Sequence, residues 1–221
     1  MISKFNQIEE LFKEIDSALK RKIRIFVIGG VVLLRQGLKP ATKDIDLIVE
    51  TKEEFMLLQN TLESIKFILK IPNIEYKNMN LNQIFIRDDF RIDLFQKEVC
   101  GRFSISKEMM KRAVTVLDLE KIKLAFCSNE DIFLFKTMTE REGDLEDCIG
   151  LAQRGIKWNI ILNELKNQIK QSSQDVWITW VGERLDILED KGLNIPVMKE
   201  INQLREKYFE EYEKKYLKKL K

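Results

Sequence analysis

The stretch that most constrains this chain is residues 23–49. It reads IRIFVIGG, then VVLLRQGLKPATK, then DIDLIV. The first piece is a β-branched and aromatic run, which predicts a strand. It ends in Gly29-Gly30. A short apolar helix over 31–36 is expected next, with Gly37 at its C′ position and Pro40 blocking continuation. A second strand opens with Asp44-Ile45-Asp46. Successive strand residues face opposite sides, so Asp44 and Asp46 share a face. Two neighbouring carboxylates repel, and burial alone does not help either. A divalent cation resolves that conflict. Mg²⁺ takes oxygen ligands, commonly one or two carboxylates together with substrate phosphates. Gly29 and Gly30 carry no side chain to keep a phosphate away, and backbone N–H groups at a helix start attract anions. One unit therefore offers a phosphate cradle beside a metal site, a combination suited to phosphoryl or nucleotidyl transfer.

Composition narrows the chemistry further. The chain has 221 residues, 44% apolar and 33% charged, which describes a globular protein with a real core. Its net charge is only +2, so no global attraction to nucleic acid is implied. It contains no histidine. That removes Ser-His-Asp and Cys-His catalysis and His-ligated zinc. Cys100, Cys127 and Cys148 are far apart and read as ordinary thiols. The working chemistry must run on carboxylates, Lys, Arg and hydroxyls. No long apolar run or signal segment is seen, so a cytoplasmic protein with no membrane partner is expected.

Read in order, residues 4–20 carry an amphipathic helical stripe of Phe5, Ile8, Leu11, Phe12, Ile15 and Leu19. Thr51 opens a capping box with Glu54, and a helix over 51–69 is expected, ended by Pro72. Residues 83–86 and 90–95 flank Arg87-Asp88-Asp89 and predict a hairpin. Asp93 sits among apolar residues of its second strand, an unusual place for a carboxylate without a partner. Asp88 and Asp89 read as turn residues. Residues 97–112 read as a linking region with a short helix from Lys107, followed by a strand pair over 113–117 and 122–126. Ser128 is expected to cap a helix, and Asp144 to cap the next, which ends near Gly155. Residues 158–170 and 173–190 read as two further helices. Pro196 falls at the first turn of the last one, whose highly charged end, 210–221, reads as a solvated face, with a basic tail touching RNA as the minor alternative.

The glycine pair, the spacer 31–43 and Asp44-Ile45-Asp46-Leu47 together resemble the signature of the DNA polymerase β-like nucleotidyltransferase superfamily. That family places a third carboxylate on a later strand, and Arg91-Ile92-Asp93-Leu94-Phe95 supplies it. Lys136, Arg141, Asp144 and Asp147 further resemble the C-terminal motif of AbiEii-type stand-alone nucleotidyltransferases, with Gly143 where that motif often has Lys. The resemblance implies that Asp44, Asp46 and Asp93 are catalytic and hold Mg²⁺ or Mn²⁺. It implies that Gly29, Gly30, Lys136 and Arg141 contact the nucleotide. Without the resemblance, Lys136 reads as a solvated surface lysine. Arg141 is equally readable as a structural partner of Asp144 or Asp147.

The expected fold is α/β (α+β), a mixed-sheet nucleotidyltransferase domain over 1–125 followed by a helical domain over 126–221. The expected activity is transfer of a nucleoside monophosphate from a nucleoside triphosphate to an acceptor hydroxyl of RNA, protein or a small molecule. Two alternatives stand beside it. One is an AbiEii-like toxin acting on tRNA or protein and countered by an antitoxin partner. The other is a nucleotide-binding relative without turnover.

Overall fold

The computed structural model describes residues 1–71, 81, 83–101 and 103–219. These form a mixed α/β fold that divides into two compact units, Met1–Ser128 and Asn129–Lys221. Among the described residues no helix is long and apolar enough to cross a membrane.

The first unit is built on a seven-stranded sheet. In chain order its strands are β1 (Ile23–Ile28), β2 (Ile45–Val49), β3 (Ile68–Lys70), β4 (Gln83–Arg87), β5 (Phe90–Gln96), β8 (Val114–Asp118) and β9 (Ile122–Phe126). They lie in the order β3-β4-β5-β2-β1-β9-β8. β2/β5 and β1/β9 are parallel, and the remaining neighbours are antiparallel. The central strands are β-branched and aromatic on both faces, as strands covered on both sides must be.

One face is packed by α1 (Phe5–Ala18) and α3 (Lys52–Ser64). Phe5 of α1 meets Phe126 of β9 edge-on, with centroids 5.7 Å apart. Gln83 of β4 donates to Gln59 of α3 at 3.0 Å. Asp16 near the end of α1 accepts from the backbone N–H groups of Lys121 and Ile122, both at 2.7 Å, and so pins α1 to the start of β9. Ile25, Val27, Leu47 and Leu94 are fully buried on this face. Register puts Ile28, Asp46, Asp93 and Ile84 in one row on the opposite face. On that face, Arg24 donates to the carbonyl of Met110 in α4 (Lys107–Arg112) at 3.0 Å.

The predicted capping box of α3 is present. Thr51 Oγ1 accepts from the N–H of Glu54, and Glu54 Oε2 from the N–H of Thr51, both at 3.1 Å. The helix is shorter than its apolar pattern suggests, stopping at Ser64 rather than near 69. Lys66 takes a left-handed conformation, φ 71°, and Phe67 then turns inward to 3% exposure. Residues 68–70 leave the helix to become edge strand β3 against β4. Pro72, expected to end the helix, lies outside the described residues. The hairpin around Arg87-Asp88-Asp89 is present, with Asp88 at φ 52°. Residues 97–112, read as a linker with one helix, also hold a small ladder of β6 (Glu98–Cys100) and β7 (Phe103–Ser104).

The second unit contains α5 (Asn129–Thr137), α6 (Glu142–Gln153), α7 (Trp158–Ser172), α8 (Trp177–Asp190) and α9 (Met198–Lys219). Residues 131–137 of α5 are all buried, so it is the central helix rather than a one-faced one. Phe133 meets Trp158 edge-on at 5.3 Å. α8 and α9 approach at Gly182, where a Cβ would strike the Arg205 side chain, and Arg205 pairs with Asp186 at 2.7 Å. Two boundary expectations are corrected. Ser173 is the left-handed C-cap of α7, not the start of the next helix. Asp144 lies inside α6, whose N-cap is Arg141. Pro196 sits in the turn leading to α9.

Candidate active site

The site begins where β1 ends. Ile28 is the register partner of Asp46, and Asp46 of Asp93. Gly29 follows Ile28 and so lies directly beside the Asp46 carboxylate. Its backbone, φ 72° and ψ −146°, is in a region open essentially to glycine alone. A Cβ built there would overlap Asp46 Oδ2. Gly30 opens α2 (Gly30–Arg35), and a Cβ on it would overlap Thr42 Oγ1. Thr42 is buried and exchanges backbone hydrogen bonds with Ile2 at 2.8 and 2.9 Å. Its hydroxyl donates to the carbonyl of Asp44 at 3.1 Å. The two glycines are thus required first by Asp46 and Thr42, which press against them. Thr42 is the positioning residue that sequence reasoning missed; its only signal was its place just before the Asp-x-Asp.

The short helix closes as expected. Gly37 has φ 72°, and the N–H groups of Gly37 and Leu38 bond back to the carbonyls of Leu34 and Leu33.

Asp93 is 4% exposed, and a carboxylate so removed from water needs a cation or several donors. Arg91, two residues earlier on the same face of β5, supplies a fork: Nε to Oδ1 and Nη2 to Oδ2, both 2.7 Å. This bidentate geometry fixes the carboxylate plane as well as its charge. Asp46 and Asp93 are brought side by side, while Asp44 precedes β2. Among the described residues no group of three Asp, Glu, His or Cys side chains is disposed to hold a metal ion. The chemistry of the donors still suits Mg²⁺, since Asp46 and Asp93 offer hard oxygen ligands from one face of adjacent strands. The Arg91 guanidinium supplies positive charge at the same place.

In the second unit the structure makes a different cluster. Lys136 is 8% exposed, and its Nζ lies 2.7 Å from Asp144 Oδ1 and 2.6 Å from Asp147 Oδ2. Burial alone would push the Lys136 ammonium down, but the two carboxylates outweigh it and hold its pKa above the ordinary lysine value. Burial likewise favours the neutral acid at Asp144. Lys136, Thr139 and Arg141 override it and hold that carboxyl below its usual range. Thr139 Oγ1 donates to Asp144 Oδ2, and Arg141 Nε reaches the same oxygen at 2.9 Å. The Arg141 side chain is 63% exposed, so it caps the cluster from the solvent side. Lys136 is therefore not a solvated surface lysine, and Arg141 makes the structural pairing with Asp144. Cys148 is buried beside them, and burial pushes its thiol pKa up.

A glycine turn crowded by a carboxylate, with a second carboxylate in register across a mixed sheet, is the frame of a nucleotidyltransferase. The chain belongs to the family described as "Nucleotidyltransferase of unknown function (DUF6036)", whose model matches residues 3–179. Comparison with curated proteins gives no significant match. Among solved structures, the fold is similar to the crystal structure of ANT(2'')-Ia in complex with adenylyl-2''-tobramycin. That match has a TM-score of 0.50 and 13% identity over 76% of this chain and 99% of that one. A solution structure of ANT(2'')-Ia is similar at a TM-score of 0.48 and 13% identity, over 86% and 98%.

Proposed function

We propose that this nucleotidyltransferase moves a nucleoside monophosphate from a nucleoside triphosphate to an acceptor hydroxyl, releasing pyrophosphate, with Mg²⁺ or Mn²⁺ as cofactor. The observation that carries the reading is the cross-strand pair Asp46–Asp93 beside Gly29. Asp46 and Asp93, side by side on adjacent strands, would hold the metal, with substrate phosphates and water as the remaining oxygen ligands. When bound, the metal stabilises the charge that develops on the attacking and leaving oxygens. Gly29 and Gly30 let Asp46 and Thr42 close against the turn, whose backbone N–H groups would face the triphosphate. Asp93 receives the acceptor's proton, and Arg91 fixes the orientation of its carboxylate. The acceptor oxygen then joins the α-phosphorus, and the bond from that phosphorus to pyrophosphate breaks.

In this reading Lys136 and Arg141 serve mainly to lock α5 to α6, and a nucleotide contact would come second. An AbiEii-type toxin with an antitoxin partner would use the same site and differ only in its acceptor. The neighbouring ANT(2'')-Ia structure holds an adenylylated small molecule, which keeps a small-molecule acceptor in view.

The test is incubation with each α-labelled nucleoside triphosphate, Mg²⁺ or Mn²⁺, and separate pools of cell RNA, cell protein and small-molecule alcohols. Label carried into one pool supports the reading and names the acceptor class. Nucleotide that binds in the presence of all pools, but is never transferred, overturns it in favour of a binding-only relative.

A further inference from the structure

We propose that the helical unit carries a binding site for single-stranded nucleic acid, in the cavity between α7, α8 and α9. The cavity has a volume of about 280 Å³. That is at or below the lower end of the ~300–1,000 Å³ typical of drug-sized ligands, so it admits one planar ring system rather than a helix or a large molecule. Its floor is apolar, formed by Ile169 of α7, Ile178 of α8, Leu204 of α9 and the Tyr208 ring. Its rim is mixed in charge, with three lysines and two carboxylates. Lys166 and Lys170 stand one turn apart on α7, both exposed, and Lys207 faces them from α9. Two carboxylates share the rim, Asp175 and Glu211, and Glu211 lies 3.9 Å from Lys207. The charge open to an anion is therefore mainly that of the two α7 lysines.

An aromatic edge continues from the cavity. Tyr208 and Tyr212 are one turn apart on α9, with ring centroids 6.2 Å apart and planes tilted by 32°. Tyr212 is 58% exposed, which a purely structural aromatic need not be. Beyond it, Lys214 and Lys215 are exposed on the same helix, Lys214 lying 3.5 Å from Glu210. An apolar cavity of this size, an exposed and mutually tilted tyrosine pair and the two α7 ammonium groups match a chain of bases joined by phosphates. Bases stack on aromatic rings without regard to sequence, and lysines follow the backbone.

The site stands independently of the catalytic reading, because binding is measured without nucleoside triphosphate. The probe is a dye-labelled single-stranded RNA oligonucleotide followed by fluorescence anisotropy over a salt series, using the intact chain. The wild type is expected to bind the single strand more tightly than a duplex of the same composition. The double variant Lys166→Glu/Lys170→Glu should lose at least tenfold at low salt. Its slope of log affinity against log salt should shrink by about 1.4, from roughly 0.7 per lost phosphate contact on a single strand. Tyr208→Ala should lose on the order of tenfold with the slope unchanged, and Tyr208→Phe should restore binding, because stacking needs the ring and not the hydroxyl. Lys121→Glu in the first unit is the control, and circular dichroism melting confirms that each variant is folded. Equal affinities for wild type and the double variant would overturn the proposal. So would a change in sedimentation of Lys166→Glu/Lys170→Glu without RNA, which would make the cavity an interface between copies of the chain.

Discussion

Replacing Lys136 by methionine keeps most of its volume and removes its charge. In the folded protein this leaves Asp144 and Asp147, 5% and 7% exposed, facing each other without the ammonium between them. Removing one partner of a buried ion pair costs about 3–5 kcal/mol, because the remaining charge is stranded away from water. Against a typical total stability of about 5–15 kcal/mol, that loss is large. The pH dependence follows from the directions of the shifts. Asp144 is held below its ordinary range, so its stabilisation is complete above about pH 3.9 and is lost as pH falls through the lowered value. Lys136 is held above its ordinary value, so its share is complete below about pH 10.4 and is lost only as pH rises past the raised value. In Lys136→Met only the solvent-exposed cation of Arg141 still faces Asp144, and burial favours the protonated form of that acid. The deficit relative to wild type should therefore shrink as pH is lowered towards about 5. Adding Asp144→Asn and Asp147→Asn should recover part of the loss at neutral pH. Urea unfolding followed by tryptophan fluorescence reads this directly, since Trp158, Trp177 and Trp180 all lie in the second unit. A Lys136→Met protein within about 0.5 kcal/mol of wild type, the ordinary range for a surface change, would refute the lock. If triphosphate binding fell at the same time, Lys136 would be a phosphate ligand.

Other perturbations follow from the same structure. Gly29→Ala should destabilise the first unit by about 1–3 kcal/mol through its backbone conformation alone; it should also displace Asp46, so that thermal melting and transfer activity fall together. Gly30→Ala should force Thr42 aside and lower the melting temperature, whereas the companion change Thr42→Ser, keeping the hydroxyl, should be milder. Thr51→Ala should cost about 1 kcal/mol by removing the cap of α3. Glu54→Ala added to it should lower stability further, because Glu54 Oε2 still accepts from the backbone N–H of residue 51; denaturant midpoints check both.

Much of the first unit was legible because its local signals agree. The apolar runs around 45–49 and 90–95 placed Asp46 and Asp93 on strands, and Gly37 and Thr51 marked a helix end and a helix start that the structure keeps. β3 was not legible. Ile65 and Leu69 continue the helical spacing of Leu58 and Leu62, and only the presence of β4 as a partner draws 68–70 into a strand. Arg91 was read as part of the stretch around Asp93 and not for its bond to that carboxylate, since strand alternation gives sides and not contacts. The burial of Lys136 was hidden for a similar reason. A lysine in a helix carries no mark of burial until two carboxylates from the next helix are folded against it. The α7–α9 cavity draws on residues spread from 166 to 211, a separation that no spacing rule spans.

The central claim is that Asp46 and Asp93 form a catalytic pair, and Asp46→Asn tests it most directly. Label transfer from an α-labelled nucleoside triphosphate and thermal unfolding are measured on the same preparation, with and without Mg²⁺. The account predicts that the variant loses transfer by at least about 100-fold, the lower range for removing an essential electrostatic group. It also predicts that the variant melts at or slightly above the wild-type temperature without metal, because one of two neighbouring carboxylates is neutralised. An Asp46→Asn protein that keeps full Mg²⁺-dependent transfer would contradict it.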